Sequence, residues 1–278
     1  MAKARTRDRV ARTVLHVVLG LGLLAMVGPF LWMLLSSFKS EGEIREVPPT
    51  WWPRDFGLTN YTELFDRLAF PTYFTNSVVV AGSVTLGNLV LCSAAGYALA
   101  KLRFPGRGAL LGLVLGTVMV PGMVTFVPLF VLVSKLGLTN TFAGLILPFV
   151  VGAFGVFFMR QFILSIPDEL IESARIDGAG EVRIFWRIIL PLCRPALATL
   201  GILTFLGSWN NFLWPLVIAT TEDKYTLPVA LALYSVGQNE TDYGLLLAGS
   251  VVVVVPVLIV FVLLQRHFVR GIATTGLK

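Results

Sequence analysis

The chain has 278 residues, 56% hydrophobic and only 14% charged, with a mean hydropathy of +0.81. Soluble domains carry roughly 25% charged residues, so this deficit excludes an ordinary water-soluble fold, and the long charge-free runs read as membrane spans. A net charge of +6 would suggest nucleic acid in a soluble protein, but its placement here follows membrane topology and implies no nucleic-acid partner.

The first element is a basic cluster (Lys3, Arg5, Arg7, Arg9, Arg12) followed by an apolar run over residues 14–38. Secretory signals have an apolar region of only about 7–15 residues and a small-residue cleavage site, so this run is expected to be a retained first helix. Five more charge-free runs follow, at 73–100, 108–133, 141–159, 195–219 and 244–264. In lipid only helices and closed barrels satisfy every backbone group. Barrel strands would be about 10 residues with alternating polarity. These runs are longer and do not alternate, so the expected fold is an all-α integral membrane protein with six transmembrane helices in one domain.

Orientation follows from Lys and Arg. With the N-terminus inside, the inner segments hold 16 basic residues and the outer ones 6. Both termini are therefore expected in the cytoplasm and membrane lipid around the spans. Breakers interrupt the runs at Pro29, Pro121-Gly122, Pro128, Pro148 and Pro256, while small residues cluster at 82–87 and 152–155; these read as kinks and close helix contacts. Cys92 and Cys193 read as packing residues. No internal repeat of the kind that builds many secondary carriers is visible.

The segment between spans four and five, residues 165–191, reads SIPDELIESARIDGAGEVRIFWRIILP. Ser165 is a candidate cap, Pro167 suits a first turn, and Asp168 and Glu169 complement the helix dipole. A helix is expected to about Ile176, stopped by Gly178. A second short helix is expected from about Glu181 to Leu190, interrupted by Pro191. Apolar Leu170, Ile171, Ala174, Phe185 and Trp186 would make this a surface built to be covered.

Glu172-Ser173-Ala174, Asp177-Gly178-Ala179, Phe185 and Leu190-Pro191 resemble the EAA loop of binding-protein-dependent ATP-binding-cassette importers. The family usually has Ala where Ser173 stands. SFKSEGEI after span one, GLTNTFAGLILP before span four, WNNFLWP in span five and QRHFVRGIATTGLK at the end resemble the maltose-type, MalG-like carbohydrate permeases. The resemblance implies a type I importer permease fold in the bacterial cytoplasmic membrane. It also implies a second permease subunit across one translocation path, a cytoplasmic ATPase dimer that holds ATP and Mg, and an extracytoplasmic solute-binding protein. The 165–191 loop would be the coupling element, with Glu172 facing a basic ATPase residue and Gly178 at the bend.

The chain itself is expected to be no enzyme, without a cofactor, metal site or catalytic residue. It has no phosphate-binding G-x-x-x-x-G-K-[S/T] loop, and its two histidines, His16 and His267, stand near opposite chain ends. No Asp, Glu, Lys or Arg lies within the six runs, which argues against proton coupling or a charged solute. Neutral polar residues and aromatics suit a polyhydroxyl solute; Asn76, Asn88, Ser208, Trp209, Asn210, Asn211 and Trp214 are the path candidates. In the maltose-type relatives the last outer loop reaches into the binding protein, which makes Tyr225, Tyr234, Gln238 and Asn239 the contact candidates here. The alternatives are an importer permease for glycerol phosphate or a polyol, and a stand-alone sugar carrier or facilitator.

Overall fold

A computed structural model describes residues 2–235 and 241–275, with side chains described over 12–66, 68–234 and 241–263. In chain order its helices longer than one turn are α1 (Ala2–Ser36), α2 (Thr59–Arg67), α3 (Phe70–Lys101), α4 (Arg107–Met119), α5 (Gly122–Lys135), α6 (Phe142–Phe149), α7 (Ala153–Leu164), α8 (Asp168–Ile176), α9 (Glu181–Leu192), α10 (Arg194–Trp209), α11 (Leu213–Ile218), α12 (Leu227–Ser235) and α13 (Tyr243–Thr275). Arg12–Ser36, α3 and Tyr243–Leu263 are each long and apolar enough to cross a membrane. Three bent pairs raise the number to six if each is one span: α4 with α5 at 104°, α6 with α7 at 42°, and α9 with α10 at 80°.

The helices depart from the spans drawn on the sequence in ways that backbone chemistry explains. α1 runs back through the basic cluster and stops at Ser36 rather than residue 38. The 108–133 run is bent because Pro121 has no N–H to continue α4, and the chain restarts at Gly122. The 141–159 run is two helices, and the second extends to Leu164 and includes Arg160. The 195–219 run breaks at residues 210–212, where the Asn211 side chain accepts the Trp214 N–H at 3.3 Å and competes with helix continuation.

Contacts divide the chain into two units, Met1–Ala69 with Leu231–Val254, and Phe70–Ala230 with Val255–Lys278. In the first, Asn60 Nδ2 donates to the Ser37 and Lys39 carbonyls at 2.9 and 2.8 Å. The Glu43 carboxylate accepts from Thr50 Oγ1 at 2.8 Å and from the Arg54 N–H. Glu41 accepts from the Gly244 N–H at 2.9 Å, so an acid of the segment after α1 caps the positive end of α13.

In the second unit, α3 and α7 approach closely through glycine. A Cβ on Gly96 would lie 2.9 Å from the Arg160 nitrogen, and one on Gly155 would lie 2.9 Å from Cys92 Sγ. Gly82, by contrast, faces open space. Asn88 opens a π-helical turn over Asn88–Cys92. Its Nδ2 donates to the Phe149 carbonyl at 2.6 Å and its Oδ1 accepts from the Gly152 N–H at 3.1 Å. Those groups belong to the break between α6 and α7, where no helix supplies a partner. A buried amide on α3 therefore satisfies backbone that lipid could not. Cys92 and Cys193 are buried in the same core.

Candidate functional site

The 165–191 loop forms two short helices over a buried floor. Ile171 and Ala174 of α8 and Ile184, Phe185 and Ile189 of α9 pack into one cluster with Tyr97 of α3, Met159 and Ile163 of α7, and Ala196 and Leu200 of α10. The opposite face is open: Ile176 is 86% and Val182 73% exposed, and Leu170 and Trp186 are exposed as well. Exposed apolar residues gathered on one loop mark an interaction surface. Glu172 and Ser173 are on that outer side. Glu172 makes no hydrogen bond or ion pair among the described residues, and it edges a cavity of about 660 Å³ shared with Lys101, Arg103, Asp168 and Arg175.

The bend is a Schellman turn. Gly178 has φ +80°. Its N–H donates to the Arg175 carbonyl at 3.0 Å and the Ala179 N–H to the Ala174 carbonyl at 2.9 Å, which closes the end of α8. Asp177, exposed, is the last residue before the turn. The entry differs from the sequence expectation. Ser165 does not cap α8; its hydroxyl donates back to the Phe162 carbonyl at 2.7 Å and finishes α7. The exit differs too. Pro191 lies inside the last turn of α9, after a π-helical stretch over Phe185–Ile189. A wide turn there accommodates a ring that can neither donate nor tolerate the carbonyl of a tight turn.

The sequence reading missed the groups that fasten this loop. Tyr97 OH donates to Glu181 Oε2 at 2.5 Å, and Arg175 Nε donates to Glu181 Oε1 at 2.8 Å. Lys101 Nζ donates to the Ile166 carbonyl and to Asp168 Oδ1, both at 2.6 Å. The Arg175 hydrogen bond holds the Glu181 carboxyl below its ordinary range against the opposing effect of desolvation. Lys101 does the same for Asp168. A clue was present in the sequence: a tyrosine inside an apolar run needs a partner for its hydroxyl. Around the same end of α3, Arg107 donates to the Leu99, Ala100 and Leu102 carbonyls. A cation thus closes the negative end of the helix.

This loop lies within residues 92–274, which match the family described as binding-protein-dependent transport system inner membrane component. The chain belongs to that family. It is 40% identical over 269 residues to the arabinooligosaccharides transport system permease protein AraQ of Halalkalibacterium halodurans, covering 94% of this chain and 95% of that one. It is 38% identical over 273 residues to the diacetylchitobiose uptake system permease protein NgcG of Streptomyces coelicolor, covering 97% and 90%. Among solved structures it superposes with TM-score 0.85 and 26% identity on a chain of a bacterial ABC transporter involved in the import of the acidic polysaccharide alginate, covering 94% and 97%. The protein is a membrane transport permease with the type I importer fold, and not an enzyme.

Four of the permease's seven path candidates are packed inside the chain. Asn76 Nδ2 donates to the Asp223 and Tyr225 carbonyls, both at 2.9 Å, and Asn88 holds the α6–α7 break. Trp209 is buried with its ring 5.5 Å from that of Phe205. The Trp214 indole donates to the Gly144 carbonyl at 3.0 Å between Phe126 and Phe149. Their amides and indoles support the fold, a role that residue type alone does not distinguish from solute contact. Ser208, Asn210 and Asn211 keep solvent-accessible surface at the break between α10 and α11. Tyr225 is half-buried beside Tyr73 and Tyr234 is exposed, whereas Gln238 and Asn239 lie outside the described residues.

Proposed function

We propose that this permease forms half of the translocation path for a neutral carbohydrate, and that α8 and α9 dock in a cytoplasmic ATPase. The carrying observation is the loop itself: apolar Ile176, Val182 and Trp186 stand exposed on short helices whose inner faces are fixed in the core. Glu172 sits free on that surface for a basic partner. Both termini lie on the ATPase side. A second permease completes the path, the ATPase dimer carries ATP and Mg, and an extracytoplasmic binding protein delivers solute near Tyr225 and Tyr234. Ser208, Asn210 and Asn211 line the path. Neutral solute is supported by the uncharged middles of the spans, and a carbohydrate by relatives named for oligosaccharide systems.

The reading predicts that Glu172→Ala inserts normally but loses ATPase on affinity purification. A buried charge pair costs about 2–5 kcal/mol when one partner is truncated, at least a tenfold loss of binding. Full ATPase retention would contradict docking at this surface. Uptake of arabinotriose and diacetylchitobiose, compared with sn-glycerol 3-phosphate in proteoliposomes holding the complete importer, tests the solute class.

A further inference from the structure

The coupling loop is joined covalently to α7 and α10, yet its tightest polar fastenings go to α3, more than sixty residues earlier. Tyr97 and Lys101 stand one turn apart on the same face of α3. Tyr97 grips Glu181 in the first turn of α9 at 2.5 Å, and Lys101 grips Asp168 in the first turn of α8 at 2.6 Å. The Lys101 side chain is only 6% exposed, so it is committed to this contact. Glu181 also takes Arg175 from α8 at 2.8 Å. A single carboxylate therefore ties both coupling helices to each other and to α3. The Tyr97 ring adds an apolar contact, 5.9 Å from that of Phe185.

We propose that Glu181 is a positioning residue that keys α8 and α9 to α3, so that movement imposed on the coupling helices reaches the solute path through α3 as well as through α7 and α10. This rests on the docking reading above. It adds a route: α3 carries Asn76 and Asn88, which hold the Asp223–Tyr225 backbone and the α6–α7 break. Displacing α3 by way of Tyr97 would shift both.

Tyr97→Phe removes one hydroxyl and leaves the ring in the core, so the fold and the exposed docking face are preserved. The complete importer, reconstituted with its binding protein, is assayed for ATPase retention and for solute moved per ATP hydrolysed. Arabinotriose and diacetylchitobiose serve as probes. Loss of a hydrogen bond to a charged acceptor corresponds to roughly a tenfold shift. Tyr97→Phe and Glu181→Ala are expected to keep the ATPase and to hydrolyse ATP, while solute per ATP falls about tenfold. The double variant should be no worse than Glu181→Ala alone, which already removes the Tyr97 contact. Glu181→Gln, whose carbonyl can still accept the Tyr97 hydroxyl, should recover part of the loss. Wild-type solute per ATP in both single variants overturns the proposal. So does loss of the ATPase from Tyr97→Phe, which would make the contact a matter of docking. Glu172→Ala reports on docking separately, because it removes nothing from the Tyr97–Glu181–Arg175 contact.

Discussion

Replacing Gly178 tests whether the coupling loop works through its backbone shape. Gly178 has φ +80°, and a Cβ built there meets nothing within 4 Å. Alanine therefore brings no clash within this chain, and its whole effect is the cost of a left-handed conformation, roughly 1–2 kcal/mol. That is a factor of about 5–30 in the population of the turn. What is lost is the pair of bonds from the Gly178 and Ala179 N–H groups that close the end of α8 and set the bend before α9. Asparagine tolerates the left-handed region far better than alanine. In affinity-purified complexes, Gly178→Ala should retain several-fold less ATPase than wild type at moderate salt, and uptake should fall in proportion. Gly178→Asn should stand between the two despite its larger side chain. If Asn is as damaging as Ala, or worse, the glycine is required for space against a partner and the strain argument fails. Wild-type retention in Gly178→Ala would refute it as well.

Topology is open to cysteine labelling, because both native cysteines are buried. An impermeant maleimide on intact cells should modify Thr59→Cys and spare Arg103→Cys; the reverse pattern would invert the charge-based orientation. Helix packing is tested at Gly96, where a methyl would meet the Arg160 backbone at 2.9 Å. Gly96→Ala should lower thermal stability in detergent by an amount equivalent to about 1–3 kcal/mol, whereas Gly82→Ala, facing open space, should have little effect. The pH dependence follows from Glu181 and Asp168, whose carboxyls are held below their ordinary range by Arg175 and Lys101. Groups with depressed folded values contribute fully above the unfolded carboxylate range, about pH 4, and lose that contribution only as the pH falls through the lower folded value. Solute per ATP should thus be flat from about pH 6 to 8. A titration centred in that interval would point to a different group.

Hydropathy is enough to find the apolar runs, because lipid demands long uncharged stretches. The two short helices of the 165–191 loop and the bend between them are equally legible, since Gly178 and the acids of the first turn of α8 carry local backbone signals. What escaped the sequence was tertiary. Asn76, Asn88 and Trp214 have the polarity of a solute site, but their side chains donate to backbone carbonyls of segments distant in the sequence. Ser165 has the right type for an N-cap, but the end of α7 uses its hydroxyl first. The break at residues 210–212 comes from an asparagine that closes a turn locally, and hydropathy is blind to that. The link from Tyr97 to Glu181 spans 84 positions, and no periodicity could reveal it.

The central claim is ATP-driven import through this subunit. Its most direct test is uptake into proteoliposomes holding the permease with its co-purified partner permease and ATPase, with binding protein on the solute side and ATP on the other. Uptake should require ATP and the binding protein together and should survive collapse of the proton gradient. Solute entry driven by a proton gradient through the permease alone, without ATP, would contradict the account.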